Sequence, residues 1–312
     1  MDFNLRSFLF VCQTEVSSLC NARCIMCYPK IPFKRNLGQM MDLSLFKKLV
    51  DDLASYPVTD QVILERKSFI SDIDCAEEEV SEDELAQIVN GKISLKLFGI
   101  GEPLLNPHFI EMLEYVKGKN FYVSFNTNAS LLKRGLIKDV LATGAVDRIC
   151  ISVDSYRRSV YESIRVGLDF GVVMENLRIL KEERKNYGKS VPKLEIVAVR
   201  LQENQDEIDE MAQYFGKLGF CVKFKDDVTI NKGLPAGYLC NKINHSCFVC
   251  ADGTVLKCCF DYTNDTCIGS LHKSSMKDIW LGEKNVRLMM NNSCRKLYDI
   301  PLCRQACLSS SL

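Results

Sequence analysis

The chain has 312 residues, with Lys plus Arg and Asp plus Glu both at 40, so its formal charge is zero and gives no pull toward nucleic acid or an anionic membrane surface. No apolar run is long enough to span a bilayer, and the start Met1-Asp2-Phe3-Asn4-Leu5-Arg6 lacks the form of an export signal. A soluble, cytoplasmic protein with a full core is expected, and in a reducing compartment its 16 cysteines are expected to be metal or cluster ligands and buried thiols rather than disulfides.

In chain order, short apolar segments alternate with amphipathic ones. Strands are predicted at 8–13, 94–98, 121–125, 148–153, 193–199 and 221–225. Between them the spacing predicts helices over 43–53 after the N-cap Asp42, 106–117 with Pro107 in the first turn, and 131–142 after Ser130. Two more are predicted over 172–187, ending at Gly188, and 204–218, ending at Gly219. Six βα units predict an α/β fold: a partial (β/α)6 TIM-like barrel over residues 1–230, with its chemistry at the C-terminal ends of the strands. An acidic segment at about 65–90, holding Glu77-Glu78-Glu79 and Glu82-Asp83-Glu84, is expected to be a solvated insert. A docking surface is the alternative reading.

Residues 231–312 are expected to form a small cysteine-rich C-terminal domain stapled by metal. The segment 249–258 reads as a hairpin turning at Asp252-Gly253, and 275–290, with the single tryptophan Trp280, as a helix.

Directly after the first strand comes Cys20-x₃-Cys24-x₂-Cys27. Three thiolates on one tight loop suit a cubane iron–sulfur cluster, which normally takes four cysteines. With three, one iron stays open to a small molecule and can pass it an electron. A zinc loop or packed core thiols are the competing readings.

That triplet, followed by Gly99-Ile100-Gly101-Glu102-Pro103 after the second strand, resembles the radical S-adenosylmethionine (SAM) superfamily over roughly residues 7–225. The resemblance implies a 4Fe–4S cluster on Cys20, Cys24 and Cys27 whose open iron binds SAM. It implies reductive cleavage of SAM to a 5′-deoxyadenosyl radical that abstracts a hydrogen atom from substrate. It also implies that the Gly99, Gly101, Glu102, Pro103 strand end holds the methionine amine, glycine allowing close approach and proline stiffening the exit. Asn126 and Asn128 after the third strand, Ser152 and Asp154 after the fourth, and Arg165 match polar groups that contact the SAM ribose and carboxylate. Met26 or Tyr28 is expected near the adenine.

The tail has its own resemblance. Cys240-x₁₂-Gly253-x₄-Cys258, Ile268-Gly269, the segment from Met276 to Trp280, and Cys303-x₃-Cys307 resemble the SPASM and twitch extensions. These hold auxiliary 4Fe–4S clusters. The resemblance implies one such cluster on Cys240, Cys258, Cys303 and Cys307, with Cys247, Cys250 and Cys294 as alternative ligands. Cys259 is either a small buried hydrophobe or a hydrogen-atom donor of the kind used by radical epimerases. Lys232, in Asn231-Lys232-Gly233, resembles the substrate-contacting turn of an aminocyclitol dehydrogenase, where an arginine stands; a solvated linker lysine is the plainer reading. His108, His245 and His272 show no ligand-like spacing.

The function implied is a radical SAM oxidoreductase, with a flavodoxin or ferredoxin as electron donor and an auxiliary cluster that takes an electron from a small sugar-like or peptide substrate. The first strand lies close to the start of the chain, which favours a small molecule over a leader-bearing peptide. A redox-neutral epimerase and a non-catalytic, zinc-stapled scaffold are the alternatives.

Overall fold

The structure, a computed structural model, describes residues 9–27, 37–56, 81–188, 191–227, 240, 242–297, 300 and 303. Strand β1 (Val11–Thr14) is followed by helices α1 (Leu43–Ala54) and α2 (Glu82–Val89). Then come β2 (Ile93–Leu97), α3 (Phe109–Val116), β3 (Phe121–Thr127), α4 (Arg134–Thr143), β4 (Arg148–Ser152), α5 (Arg158–Ile164) and α6 (Phe170–Arg184). Strand β5 (Lys193–Arg200), α7 (Ile208–Lys217) and β6 (Cys221–Asp226) complete the alternation. The C-terminal part adds β7 (Ser246–Val249), β8 (Thr254–Leu256), β9 (Cys267–Ser270), α8 (Met276–Leu281) and α9 (Glu283–Ser293).

The nine strands of the described residues form one sheet in the order β6-β5-β4-β3-β2-β1-β7-β8-β9. The first six pair in parallel with their chain neighbours, and helices cover one face, the arrangement of a partial TIM-like barrel. Alternation along each strand separates two environments. Leu95, Val123, Ile149, Leu194 and Ile196 point into the apolar core beneath the helices. The register puts Ser94, Lys96, Ser124, Arg148, Cys150 and Glu195 on the opposite face, which is polar although buried.

Helix α2 packs against β2 and β3, and it takes one acidic residue of the expected 65–90 insert, Glu84, out of solvent; residues 65–80 lie outside the described residues. Ser81 caps the helix, accepting from the backbone N–H of Glu84. Glu82 and Asp83 are exposed, but Glu84 is fully buried. Its carboxylate accepts from Ser94 Oγ at 2.5 Å and Arg148 Nη2 at 2.6 Å, with Lys96 Nζ at 3.1 Å. A buried carboxylate needs such partners, because desolvation without them is prohibitive. Glu77-Glu78-Glu79 lies outside the described residues.

Several helices start later than the spacing predicts, because polar side chains hold the intervening chain. Asn106 donates to the carbonyls of Val16 at 2.7 Å and Met41 at 3.0 Å, and α3 begins only at Phe109. Asn204 donates to the carbonyls of Asp154 at 2.7 Å and Val199 at 2.9 Å, and α7 begins at Ile208. The single helix expected over 275–290 is two, α8 and α9, separated by Gly282 in extended conformation (ψ 153°). Helix α5 had no counterpart in the prediction. Strands β7 and β8 form the expected hairpin, with Gly253 at φ +78° in the turn. Strand β7, however, also pairs in parallel with β1, so the tail extends the barrel sheet.

Candidate functional site

Beyond Thr14 the chain crosses the C-terminal ends of the strands. Glu15, almost wholly buried, accepts from the backbone N–H of Ile100 at 3.1 Å and of Ala251 at 3.4 Å, tying β1 to the end of β2 and to the tail hairpin. A Cβ on Gly99 would stand 2.5 Å from the Glu15 side chain. One on Gly101 would stand 2.3 Å from the Ser17 carbonyl oxygen and 2.4 Å from that of Leu19. Only glycine lets the two backbones meet there. The Glu102 N–H then donates to the Leu19 carbonyl at 2.7 Å, one residue before Cys20.

The cysteine loop is pinned from both sides. Arg23 N donates to Val166 O at 2.8 Å and Ile25 N to Ile164 O at 3.0 Å, against the end of α5. Asn21 donates to Ser130 Oγ at 2.8 Å and accepts from Asn128 Nδ2 at 2.9 Å. Cys24 is buried, while Cys20 and Cys27 are half-buried. Arg165 Nη1 points at Cys24 Sγ from 3.6 Å, and its Nε donates to Asp154 Oδ2. Asp154, fully buried, accepts from Val199 N at 2.8 Å through its other oxygen.

Burial pushes the Cys20 thiol up and the Cys27 thiol up to about 11. The neighbouring thiols add to both shifts and Arg165 opposes them. Cys20 and Cys27, held above the ordinary thiol range, need a strong cation beside them to become thiolates, and iron supplies that charge. The donor set therefore fits a cluster. Among the described residues no three His, Cys, Asp or Glu side chains converge on the position of a single metal ion. Thiols around a cubane stand further apart, one at each corner iron.

Glu102 is 2% exposed. It accepts from Thr127 Oγ1 at 2.7 Å and Asn128 N at 2.8 Å, so it locks the ends of β2 and β3 together. Burial pushes its carboxyl up to about 7, and these hydrogen bonds act the other way. Pro103 is buried in the short turn that follows. Asn126 and Ser152 lie half-buried on the polar face of β3 and β4. Gly99, Gly101, Glu102, Asn128, Asp154 and Arg165 are thus gathered around the cysteine loop. Tyr28, Lys232 and Cys307 lie outside the described residues.

In the tail, Cys240, Cys258 and Cys303 pack around one apolar cluster of Ile243, Leu297 and Ile300. Asn292 on α9 holds the Cys240 backbone from both sides, accepting from its N–H at 2.8 Å and donating to its carbonyl at 2.9 Å. A hydrogen bond with Cys259, and then burial, raises the Cys258 thiol. The alternative ligands are elsewhere. Cys247 Sγ lies 3.8 Å from Cys12 Sγ inside the main core, Cys294 is exposed at the end of α9, and Cys250 packs with Cys259 and Cys267 around Phe248 and Leu256. None of the described cysteines is in a disulfide.

Glu15, Asn21, Thr127 and Lys257 were not singled out from the sequence. Asn21 sits inside the cysteine triplet and Thr127 between two residues that were chosen, so adjacency was the available signal. Glu15 and Lys257 carry no local signal, since their roles arise from strand pairing. Lys257 is 3% exposed, with Nζ 3.8 Å above the Trp280 ring, and burial pushes its ammonium down to about 7.

A parallel partial barrel with a three-thiol loop over its strand ends is joined to a cysteine-bearing extension, and a separate family model matches each of these two parts. The Radical SAM superfamily profile matches residues 71–215, and that of the iron-sulfur cluster-binding domain SPASM matches 240–308. The chain thus carries matches to a radical SAM domain and to a SPASM domain, which imply SAM, a 4Fe–4S cluster that binds it, and auxiliary cluster chemistry.

The tungsten-containing aldehyde ferredoxin oxidoreductase cofactor-modifying protein of Pyrococcus furiosus is 28% identical over 205 residues, 66% of this chain and 48% of that protein. The chain spans about half the length of the curated relatives it matches. The structure of BtrN with AdoMet and 2-DOIA superposes with a TM-score of 0.56 at 14% identity, covering 95% of this chain and 91% of BtrN. That of anSMEcpe with AdoMet and the Cp18Cys peptide gives 0.60 at 17%, covering 94% and 87%. Both likenesses concern the fold. Among the described residues no helix is long and apolar enough to cross a membrane.

Proposed function

We propose that the protein is a radical SAM oxidoreductase that removes two electrons from a small, polar, sugar-like substrate, working in the reducing cytoplasm with a flavodoxin or ferredoxin as electron donor. Cys20, Cys24 and Cys27 hold the SAM-binding cluster; Cys240, Cys258 and Cys303, with Cys307, hold the auxiliary one. When bound, these groups supply the reductive cleavage of SAM, hydrogen-atom abstraction by the 5′-deoxyadenosyl radical, and uptake of the electron the substrate gives up. The chain's own residues bind and orient. Arg165, already anchored by Asp154, presents its guanidinium beside Cys24, and the strand end from Gly99 to Pro103 offers close-approach backbone.

The observation that carries the oxidative reading is the gathering of Cys240, Cys258 and Cys303 around one apolar cluster. A polar substrate is supported by the sheet face bearing Gln13, Lys96, Ser124, Asn126 and Glu195. BtrN, with 2-DOIA bound, supports a small molecule; anSMEcpe, with Cp18Cys, keeps a peptide as the competing substrate. The test is anaerobic turnover in heavy water with SAM and reductant. A dehydrogenated product and 5′-deoxyadenosine are expected. Solvent deuterium at an inverted carbon would replace oxidation by epimerisation.

Epimerisation has one observation in its favour. Cys259 packs with Cys250 and Cys267 around Phe248, which pairs in register with Gln13 of the polar face. If Cys259→Ala leaves deuterium incorporation intact, that thiol is not the donor.

A further inference from the structure

We infer that Lys257 is the N–H donor that sets the reduction potential of the auxiliary cluster, an inference resting on the assignment of Cys240, Cys258 and Cys303 as ligands of that cluster. Lys257 leaves the end of β8 one residue before Cys258. A lysine in that position ordinarily runs its stem along apolar surface and keeps its nitrogen in water. This one does not. Its side chain is buried and Nζ has no hydrogen-bond partner.

The surroundings repeat the pattern. Nζ lies 3.8 Å above the ring of Trp280, whose own Nε1 is buried without a partner. Asn285 donates through Nδ2 to the Trp280 carbonyl at 2.5 Å, yet its Oδ1 is also unpartnered. The aromatic face meets the charge but takes none of its N–H hydrogen bonds in the ordinary sense, and a buried donor left unmade is costly, so a lysine kept here points to an acceptor. The cysteines within electrostatic reach of Lys257 are Cys247 and Cys240. Cys247 is already turned to Cys12, 3.8 Å away in the core. Cys240 belongs to the three-thiol group that includes the next residue along the chain.

Sulfur atoms of a cluster and of its thiolates accept hydrogen bonds, and donors to them are among the main levers on cluster potentials. The sign is fixed by charge. Reduction adds one electron to an already anionic centre, an N–H pointing at sulfur stabilises that state more than the oxidised one, and the midpoint rises. The Trp280 ring, by excluding water, strengthens the effect. Lys257 is a positioning residue, acting on the electron acceptor through its ligands and touching no substrate.

The test uses the full chain with Cys20, Cys24 and Cys27 all replaced by alanine, so that the auxiliary cluster is observed alone. Iron and sulfide content is measured first, then the midpoint, by EPR-monitored titration with dithionite as the one-electron source. Lys257→Met is expected to keep the cluster and lower the equilibrium constant for its reduction at least tenfold, about 59 mV for a one-electron couple. Lys257→Arg, which keeps an N–H donor, is expected to recover most of that shift. An unmoved midpoint in a fully loaded Lys257→Met protein overturns the inference. If Lys257→Met loads no iron, Lys257→Gln is measured against the same criterion; loss of the cluster in both makes Lys257 an assembly residue and equally overturns it. Absence of iron from the alanine parent itself refutes the ligand assignment, and the inference falls with it.

Discussion

Glu102 converts its surroundings into a response to pH. Its carboxyl titrates near 7 in the folded chain and near the usual glutamate value once unfolded. Between those values the folded protein holds a proton that the unfolded chain has lost. This group's contribution to stability is therefore highest below the unfolded value and falls as pH rises through 7, by about 3–4 kcal/mol in full. The midpoint of urea unfolding of the apo-protein is expected to drop between pH 5 and 7.5. In Glu102→Gln that slope disappears, although the plateau is lower because Asn128 N–H loses an acceptor. An identical slope in both proteins would show that the titrating group lies elsewhere. Arg165 acts by charge. Its loss leaves the fully buried Asp154 unpaired, so Arg165→Met is expected to cost about 3–5 kcal/mol. Adding Asp154→Asn should return part of that in a denaturant titration; strict additivity would mean that the pair is not coupled.

The strand ends depend on what they leave out. At Gly101 a methyl group meets the carbonyl oxygens of Ser17 and Leu19, and backbone cannot swing aside as a side-chain tip can. Gly101→Ala is expected to displace the cysteine loop and sharply reduce the iron bound by the full chain. Gly135→Ala, in α4 with open space around it, is expected to gain up to about 1 kcal/mol and bind iron normally. Equal iron content in the two would remove the close-approach role of Gly101.

What the sequence made legible follows from the same distinction. The triplet and the Gly99 to Pro103 strand end are local patterns, since adjacent residues serve one group and their spacing survives in the linear chain. The six alternating strands were legible too, because burial on one side imposes a period. Glu84 was not. Its run of acids reads as a solvated surface, and only pairing of β2 with β3 and β3 with β4 brings Ser94, Lys96 and Arg148 to meet it. Helix α5 has seven residues and no side-chain cap, so it gave no start signal. The break at Gly282 was hidden because the apolar positions on both sides continue one helical pattern.

Across the whole molecule, β1 is the strand that joins barrel to tail. It pairs with β2 on one side and with β7 on the other, four residues matched on each. Barrel and tail consequently share one hydrogen-bonded sheet, and unfolding is expected to be a single event. Fluorescence of Trp280, in the tail, and far-UV circular dichroism, dominated by the barrel, should give coincident transitions in urea. Two separated midpoints would show that the tail folds by itself.

The same strand determines how the two groups of thiols can move. The loop bearing Cys20, Cys24 and Cys27 leaves from β1, and the segment bearing Cys258 leaves from β8, with β7 alone between them. Because β8 runs antiparallel to β7, Cys258 leaves at the opposite end of the sheet from the Cys20–Cys27 loop, so their separation is set by the strand lengths as well as two lateral spacings, roughly 10 Å, rather than by a hinge. An electron crossing between the two ends would meet the same gap in every turnover, whatever the substrate does, so any gating must come from the substrate's own placement and not from a swing of the tail.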